Sequence, residues 1–180
     1  MKLAVENYVP QNAANNRFQI VVWSVTAAII CLWLALTIAA PILRANHYEQ
    51  SASAIYTFFS YICHQIGARG FYFRNEPLAV CARCFGVYFG LASGVFVYPL
   101  LRSLSDLQPL PRVWLLLAPL PTTIDFLLGF FGIWENTHLS RFLTASILGV
   151  GCTFFLLPGV IEVTHYLIYH STFVKRLING

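Results

Sequence analysis

Charged residues are scarce in this sequence: aspartate, glutamate, lysine and arginine make up 10% of its 180 residues. A soluble domain carries about a quarter charged residues, so that class of protein is excluded. Hydrophobic residues make up 58% of the chain, and the mean hydropathy is +0.67. The composition therefore predicts an all-α integral membrane protein in contact with the lipid bilayer, because helices satisfy their own backbone hydrogen bonds.

A concentration of positive charge is also absent. The formal net charge is +4, and the basic residues are scattered, which argues against nucleic acid as a partner and suits anchoring at anionic lipid headgroups. No cleavable signal pattern precedes the first apolar run, which is long and begins late, near Phe18. We expect this run to remain as a membrane anchor.

Four apolar stretches are long enough to cross a bilayer as helices. The predicted segments are a polar N-terminal tail (1–16), a single membrane domain (17–171) with spans over 18–43, 82–101, 113–134 and 142–169, and a basic C-terminal tail (172–180). Pro119 and Pro121 should kink the third span. The amphipathic stretch over residues 45–62 is too short to span, so we predict a short interfacial or re-entrant helix before Cys63.

The orientation follows from the basic residues, since four spans place both chain ends on one side. The two sides carry nearly equal numbers of basic residues. Four arginines on the side opposite the termini lie beside the candidate site: Arg69, Arg74, Arg83 and Arg141. When these four are left out, the remaining basic residues predict that the termini are cytoplasmic. The cysteine-rich stretch would then lie on the outer, periplasm-like face.

The stretch from Cys63 to Gly94 holds three of the five cysteines and a histidine beside one of them. Cys81-Ala-Arg-Cys84 presents two thiolates to one ion, and Cys63 with His64 completes a set of four metal ligands. Three ligands plus water, or the three cysteines alone, fit as well, because adjacent side chains are awkward to direct at one ion. The pattern predicts a metal site, for zinc or iron, at one membrane interface.

The same cysteines fit thiol redox chemistry. Cys81 and Cys84 lie at the N-terminus of the second span, where the helix dipole and Arg83 stabilise a thiolate, and Cys63 can act as an exchanging thiol. This layout resembles the quinone-linked disulfide-bond oxidases, with four spans and a CxxC at the outer end of the second helix. That resemblance implies a quinone cofactor. A structural disulfide with one free cysteine is the third interpretation.

A carboxylate inside a membrane span is costly and by default functional. Asp125 lies about 18 Å along the third span at 1.5 Å per residue, in its outer half, and Asn136 and Arg141 close the loop above it. We predict that these residues and Arg83 converge with the cysteines at one end of the bundle and bind a cofactor or ligand. The alternative is an ion pair of Asp125 with Arg141 or Arg83 that only fastens helices.

Arginines and glycines add two further expectations. Arg69, Arg74 and Arg83 are typical of headgroup anchors, and beside thiols they can also hold a phosphate or carboxylate. One face of the second span carries a glycine every fourth residue: Gly86, Gly90 and Gly94. Such a smooth face allows another helix to approach closely, within the chain or from a partner in a membrane complex.

These residues together resemble a known family. The pattern begins with CHQ at Cys63, followed by RGFYF and CARCFGVYFG. It continues with P-x-x-x-D ending at Asp125, a loop Asn, and an Arg with a Thr three residues on. This pattern resembles the uncharacterised prokaryotic membrane proteins grouped as domain of unknown function 2085. The resemblance runs to about Gly151. Phe126 and Ala145 stand where the family pattern has glycine. The family implies a small helical protein of a prokaryotic cytoplasmic membrane and supplies no activity.

The residues support three functions, in this order. The first is a binding or accessory membrane protein whose Cys/His site holds a metal, with zinc preferred. The second is a quinone- or partner-coupled thiol–disulfide oxidoreductase in which Cys81 or Cys84 is the reactive thiolate. The third is a structural subunit of a larger membrane complex. The sequence leaves open whether the protein is an enzyme.

Overall fold

A computed structural model describes residues 16–108 and 110–179, with side chains described as far as His170. Residues 1–15 of the predicted N-terminal tail and the side chains of the predicted basic tail lie outside this part. The described chain is mostly helical. Its helices are α1 (Asn16–Ala45), α2 (Glu49–Ser60), α3 (Ala82–Leu101), α4 (Val113–Leu117), α5 (Leu120–Phe130) and α6 (His138–Asn179).

Four of these segments are long and apolar enough to cross a membrane: Asn16–Ala45, Ala82–Leu101, Val113–Phe130 and His138–His170. The prediction of an all-α membrane protein with four spans is confirmed. The short helix expected before Cys63 is α2, which has 12 residues. Because successive spans run in opposite directions, the end of α1, the start of α3, the end of α5 and the start of α6 share one end of the bundle.

The third span is divided where the sequence places its prolines, with Pro119 preceding α5 and Pro121 in its first turn. The span ends at Phe130 rather than at the predicted residue 134. Gly132 takes a left-handed conformation with φ of 67°, and the N–H of Ile133 donates to the carbonyl of Leu128 at 3.0 Å. These features form a Schellman cap, which stops the helix.

The fourth span begins earlier than predicted, at His138 rather than at residue 142. The hydroxyl of Thr137 accepts a hydrogen bond from the N–H of Ser140 at 3.0 Å. A threonine that satisfies one of the first N–H groups of a helix fixes its start. Arg141 therefore lies within the first turn of α6, not in the preceding loop.

The glycine face of α3 packs against α6 of the same chain. A methyl group at Gly86 or Gly90 would overlap backbone carbonyls of α6, and one at Gly94 would lie 2.6 Å from the hydroxyl oxygen of Thr153. The close helix approach expected from these glycines is therefore made within the chain. A partner in a membrane complex would have to bind another face.

A compact segment between α1 and α3 covers one end of the bundle. It contains α2, a 3-10 turn (Gly67–Arg69), and a hairpin of two strands, β1 (Tyr72–Phe73) and β2 (Glu76–Pro77). The guanidinium of Arg44 lies 4.1 Å from the centre of the Tyr56 ring and 3.7 Å from the carboxylate of Glu76. These contacts fasten the segment to the end of α1.

Candidate functional site

Three thiols form the most compact group of metal-ligating atoms in the described part of the chain. The Sγ atoms of Cys63, Cys81 and Cys84 all lie within 4.8 Å of one another. Cys63 is buried and the other two are half-buried. All five cysteines of the chain are free thiols in this structure.

The local structure brings the thiols together. Cys81 is the N-cap residue of α3, and Cys84 lies three residues on, which places both side chains on one face of the first helical turn. Cys63 follows α2. Its sulfur accepts a hydrogen bond from the backbone N–H of Cys81 at 3.3 Å. This hydrogen bond holds the Cys63 sulfur in position independently of an ion.

Gln65 holds the loop that carries Cys63, a role the sequence did not indicate. Its side-chain amide donates to the carbonyls of Tyr56 at 2.7 Å and of Ala79 at 2.9 Å. One carbonyl belongs to α2 and the other lies just before Cys81, so the amide closes the loop across the site. The CHQ motif contains Gln65, and that motif was the only available signal.

The protonation of Cys81 is set by hydrogen bonds at the helix start. Hydrogen bonds with the Cys84 thiol, and with backbone N–H groups and the Cys63 thiol, lower the pKa of Cys81 to about 5, against the effect of burial. The sequence attributed a stabilised thiolate partly to Arg83. The Arg83 side chain instead pairs with Asp125.

A cavity of about 300 Å³ opens beside the thiols. It is lined by all three cysteines together with His64, Arg69, Arg83 and Arg141, among others. His64 is exposed and lies on the cavity wall, outside the group of converging ligand atoms. The structure thus brings three of the four predicted metal ligands together and leaves the histidine beside them.

Asp125 is held by two partners. Its Oδ2 lies 2.9 Å from the guanidinium of Arg83 and accepts a hydrogen bond from the Asn136 amide, also at 2.9 Å. The same amide donates to the main-chain carbonyl of Asp125. Gly129 leaves the space for Asn136, since any side chain there would overlap its amide. The alternative in which Asp125 pairs with Arg83 therefore matches the structure.

A second cavity, of about 580 Å³, lies on the other side of the arginines. Its walls include Asn136, Glu135 and aromatic side chains of α5, and it shares three residues with the cavity beside the thiols: Arg69, Arg83 and Arg141. Arg74 lies apart from both, in the hairpin turn, with its guanidinium 5.7 Å from the centre of the Phe73 ring. Three of the predicted arginines thus meet at one place.

Comparison with known proteins identifies a family and two relatives. A family model described as "Predicted membrane protein (DUF2085)" matches residues 63–155, which contain the three thiols, Asp125, Asn136 and Arg141. An uncharacterised protein of Methanocaldococcus jannaschii is 34% identical over 122 residues, covering 67% of this chain and 78% of the relative. An uncharacterised protein of Methanothermobacter thermautotrophicus is 35% identical over 112 residues, 62% of this chain and 95% of the relative. No solved structure matches.

Proposed function

The chain belongs to the DUF2085 family of predicted membrane proteins, and we propose that it binds one zinc ion through Cys63, Cys81 and Cys84. The observation that carries this proposal is the convergence of three sulfurs within 4.8 Å of one another. In a tetrahedral site with Zn–S bonds of about 2.3 Å, the sulfurs stand about 3.8 Å apart. A contraction of about 1 Å or less would therefore complete the site.

The donor set favours a soft metal. Thiolates select zinc or iron over magnesium and calcium, and the N–H of Cys81 that bonds the Cys63 sulfur is the kind of outer contact that orients a metal ligand. Three protein ligands leave a fourth position, which would open to the cavity lined by His64 and the arginines. Such a site suits a binding or accessory role in which the metal engages a further ligand.

Elemental analysis of the detergent-purified chain, with thiol counting on the same sample, tests this proposal. We expect about one zinc per chain, lost in Cys63→Ser, Cys81→Ser and Cys84→Ser. The matched controls are Cys31→Ser and Cys152→Ser, since both cysteines lie inside spans away from the cluster and should leave the metal content unchanged. Iron in place of zinc would support the three-cysteine site and correct only the identity of the metal.

His64→Ala separates two versions of the site. Because the group of converging ligand atoms contains only thiols, we expect this variant to retain one metal per chain. A loss of metal would assign His64 to the fourth position, as the sequence predicts. Metal lost from the control variants as readily as from the cluster variants would contradict the proposal as a whole.

A thiol–disulfide oxidoreductase is the second candidate, favoured by the position of Cys81 at the start of α3 and by its lowered pKa. Joining the thiols of Cys81 and Cys84 in a disulfide releases two electrons and two protons, which a quinone would take up to become a quinol. A chain without metal, with two thiols that react only after reduction, would overturn the zinc proposal. Quinone reduction by that reduced chain would then support the oxidoreductase.

We also place the site on the outer face of a prokaryotic cytoplasmic membrane, with cytoplasmic termini. The basic residues at the site end would otherwise weigh against this orientation. Three of them line the two cavities: Arg69, Arg83 and Arg141. Arginines that serve a site are poor indicators of orientation, which supports leaving these three out of the comparison.

A further inference from the structure

Three arginines from separate segments stand between the two cavities. Arg69 ends the 3-10 turn, Arg83 lies in the first turn of α3, and Arg141 lies in the first turn of α6. Each of them lines both the cavity beside the thiols and the larger one. We propose that these guanidinium groups together bind the phosphoryl group of an anionic ligand.

The charges at this place are not balanced by the chain itself. Arg83 is paired with Asp125, but within the described residues neither Arg69 nor Arg141 forms an ion pair. The carboxylates near these arginines are that of Asp125 and that of Glu135, which lines the larger cavity. Three positive charges thus face two negative ones, and the excess lies on Arg69 and Arg141.

Two of the guanidinium groups also contain one N–H without a hydrogen-bond acceptor. In the described part of the chain, the Nε atoms of Arg83 and Arg141 are buried without a partner. A buried N–H group without an acceptor is costly, and so is the approach of like charges. An anion between the arginines would relieve both costs at once.

Two other arginines differ from Arg69 and Arg141 in having acidic partners, although each also has one buried guanidinium nitrogen without a hydrogen-bond acceptor. Arg44 lies within 3.8 Å of the carboxylates of both Glu49 and Glu76, and Arg102 is paired with Asp106. Acidic partners are thus present at these two helix ends and absent at Arg69 and Arg141. Within the described residues the exposed Arg74 and Arg112 form no ion pair either, so what is particular to the cavity boundary is that unpaired arginines are grouped there.

The number of donors and the size of the larger cavity indicate the ligand class. Guanidinium groups bind phosphate through pairs of parallel hydrogen bonds, and a phosphate monoester offers three acceptor oxygens, which share its negative charge, to three arginines. The larger cavity has a volume of about 580 Å³ and is lined by Phe126, Phe130 and Trp134, so it has room for an organic group next to the phosphate. The expected ligand is a phosphate ester, either a lipid headgroup or a soluble molecule.

Titration calorimetry on the full chain in phosphate-free maltoside detergent tests this site. The ligands are glycerol 3-phosphate, dioctanoyl phosphatidic acid, and dioctanoylglycerol, which lacks the phosphate. We expect saturable binding of a phosphate-bearing ligand, weakened about tenfold or more in Arg69→Gln and Arg141→Gln. Arg74→Gln is the matched control, because Arg74 is exposed at the same end and lines neither cavity.

The two phosphate-bearing ligands identify the source of the phosphate. Binding of phosphatidic acid alone indicates a lipid headgroup, whereas similar affinity for glycerol 3-phosphate indicates a soluble ester. No saturable binding of either at about 10 mM, equal binding of dioctanoylglycerol, or an equal loss in Arg74→Gln would overturn the proposal. Thermal unfolding checks that Arg141→Gln is folded, and the exposed Arg69 supplies a variant that disturbs no packing.

The arginine site does not depend on the proposed metal. Binding should persist within about threefold in Cys81→Ser, which keeps all three guanidinium groups. A loss of binding in that variant would mean that the metal holds the anion, and the assignment to the arginines would be wrong. Failure of the metal proposal alone would leave phosphate binding unchanged.

Discussion

At the scale of single residues, Asp125 shows how the site carries a charge inside a membrane span. Its Oδ2 accepts hydrogen bonds from the Arg83 guanidinium and the Asn136 amide. The Asp125 side chain is 10% exposed and that of Arg83 is 24% exposed. A pair at this depth loses solvation, so its value depends on the completeness of its hydrogen bonds. Asn136 supplies one of these bonds from the loop between α5 and α6.

Removing this charge should cost stability. Asp125→Asn keeps the shape of the side chain but leaves Arg83 half-buried without a counter-ion, and we expect a loss of about 1–3 kcal/mol, below the value for a fully buried pair. The matched control is Asp106→Asn, because the Asp106 side chain also pairs with an arginine, Arg102, but is 43% exposed. Unfolding of both variants in detergent measures the difference. Equal stability of the two variants would contradict this reading of Asp125.

The sequence predicted those site residues whose chemistry is unusual in a membrane protein. A carboxylate within a span stands out because apolar surroundings penalise it, and the clustered cysteines stand out because their spacing suits metal binding or redox chemistry. Gln65 does not stand out, since a polar side chain in a loop costs nothing, and its two carbonyl partners lie 9 and 14 residues away. The meeting of Arg69 with Arg141 likewise depends on a loop conformation that no spacing reveals.

At the scale of helices, the contact between α3 and α6 places the thiols next to Arg141. A side chain at Gly90 would overlap the carbonyl of Ser146, and one at Gly149 would meet the Gly90 backbone at 2.9 Å. Apposed glycines let two helices approach closely, and packing of this kind is a main driving force between helices in lipid. The first turns of both helices, with Arg83 and Arg141, are brought together as a result.

A single methyl group should separate these helices. Gly90→Ala is expected to lower the stability by about 1–3 kcal/mol, because backbone atoms cannot yield as the end of a side chain can. Gly159→Ala is the control within α6, where an added methyl group meets nothing within 4 Å. Its expected effect is a gain in stability of at most about 1 kcal/mol, because alanine favours the helix more than glycine does. Similar thermal unfolding of the two variants would show that the close approach is not needed.

The residues at which helices begin and end were harder to predict than the presence of the helices. Apolar length identified all four spans, since a membrane leaves few alternatives to a helix. The end of α5 depends instead on Gly132 in the left-handed region, and the start of α6 depends on the Thr137 cap. Both signals are present in the sequence but lie in a stretch that hydropathy alone assigned to the third span or its loop.

At the scale of the whole molecule, antiparallel spans explain why residues far apart in the chain share one end. Cys63, Cys81 and Arg141 line one cavity because two helix starts and the segment after α2 meet there. The sequence predicted this convergence from the number of spans. It did not predict the two cavities, which depend on how the loop with Gln65 folds over the helix ends.

The orientation of the whole molecule can be tested with two arginines at opposite ends. Arg74 lies in the hairpin turn at the site end, and Arg112 immediately precedes α4 at the other end; both are exposed. In intact cells, a membrane-impermeant maleimide should label Arg74→Cys beyond the level of the unsubstituted chain, and Arg112→Cys only after permeabilisation, if the site faces outward. The reverse pattern would place the thiols and the arginines on the cytoplasmic side. The metal and the phosphate ester would then have to come from the cytoplasm or the inner leaflet, whereas outward labelling restricts both to the outer leaflet and the space beyond it.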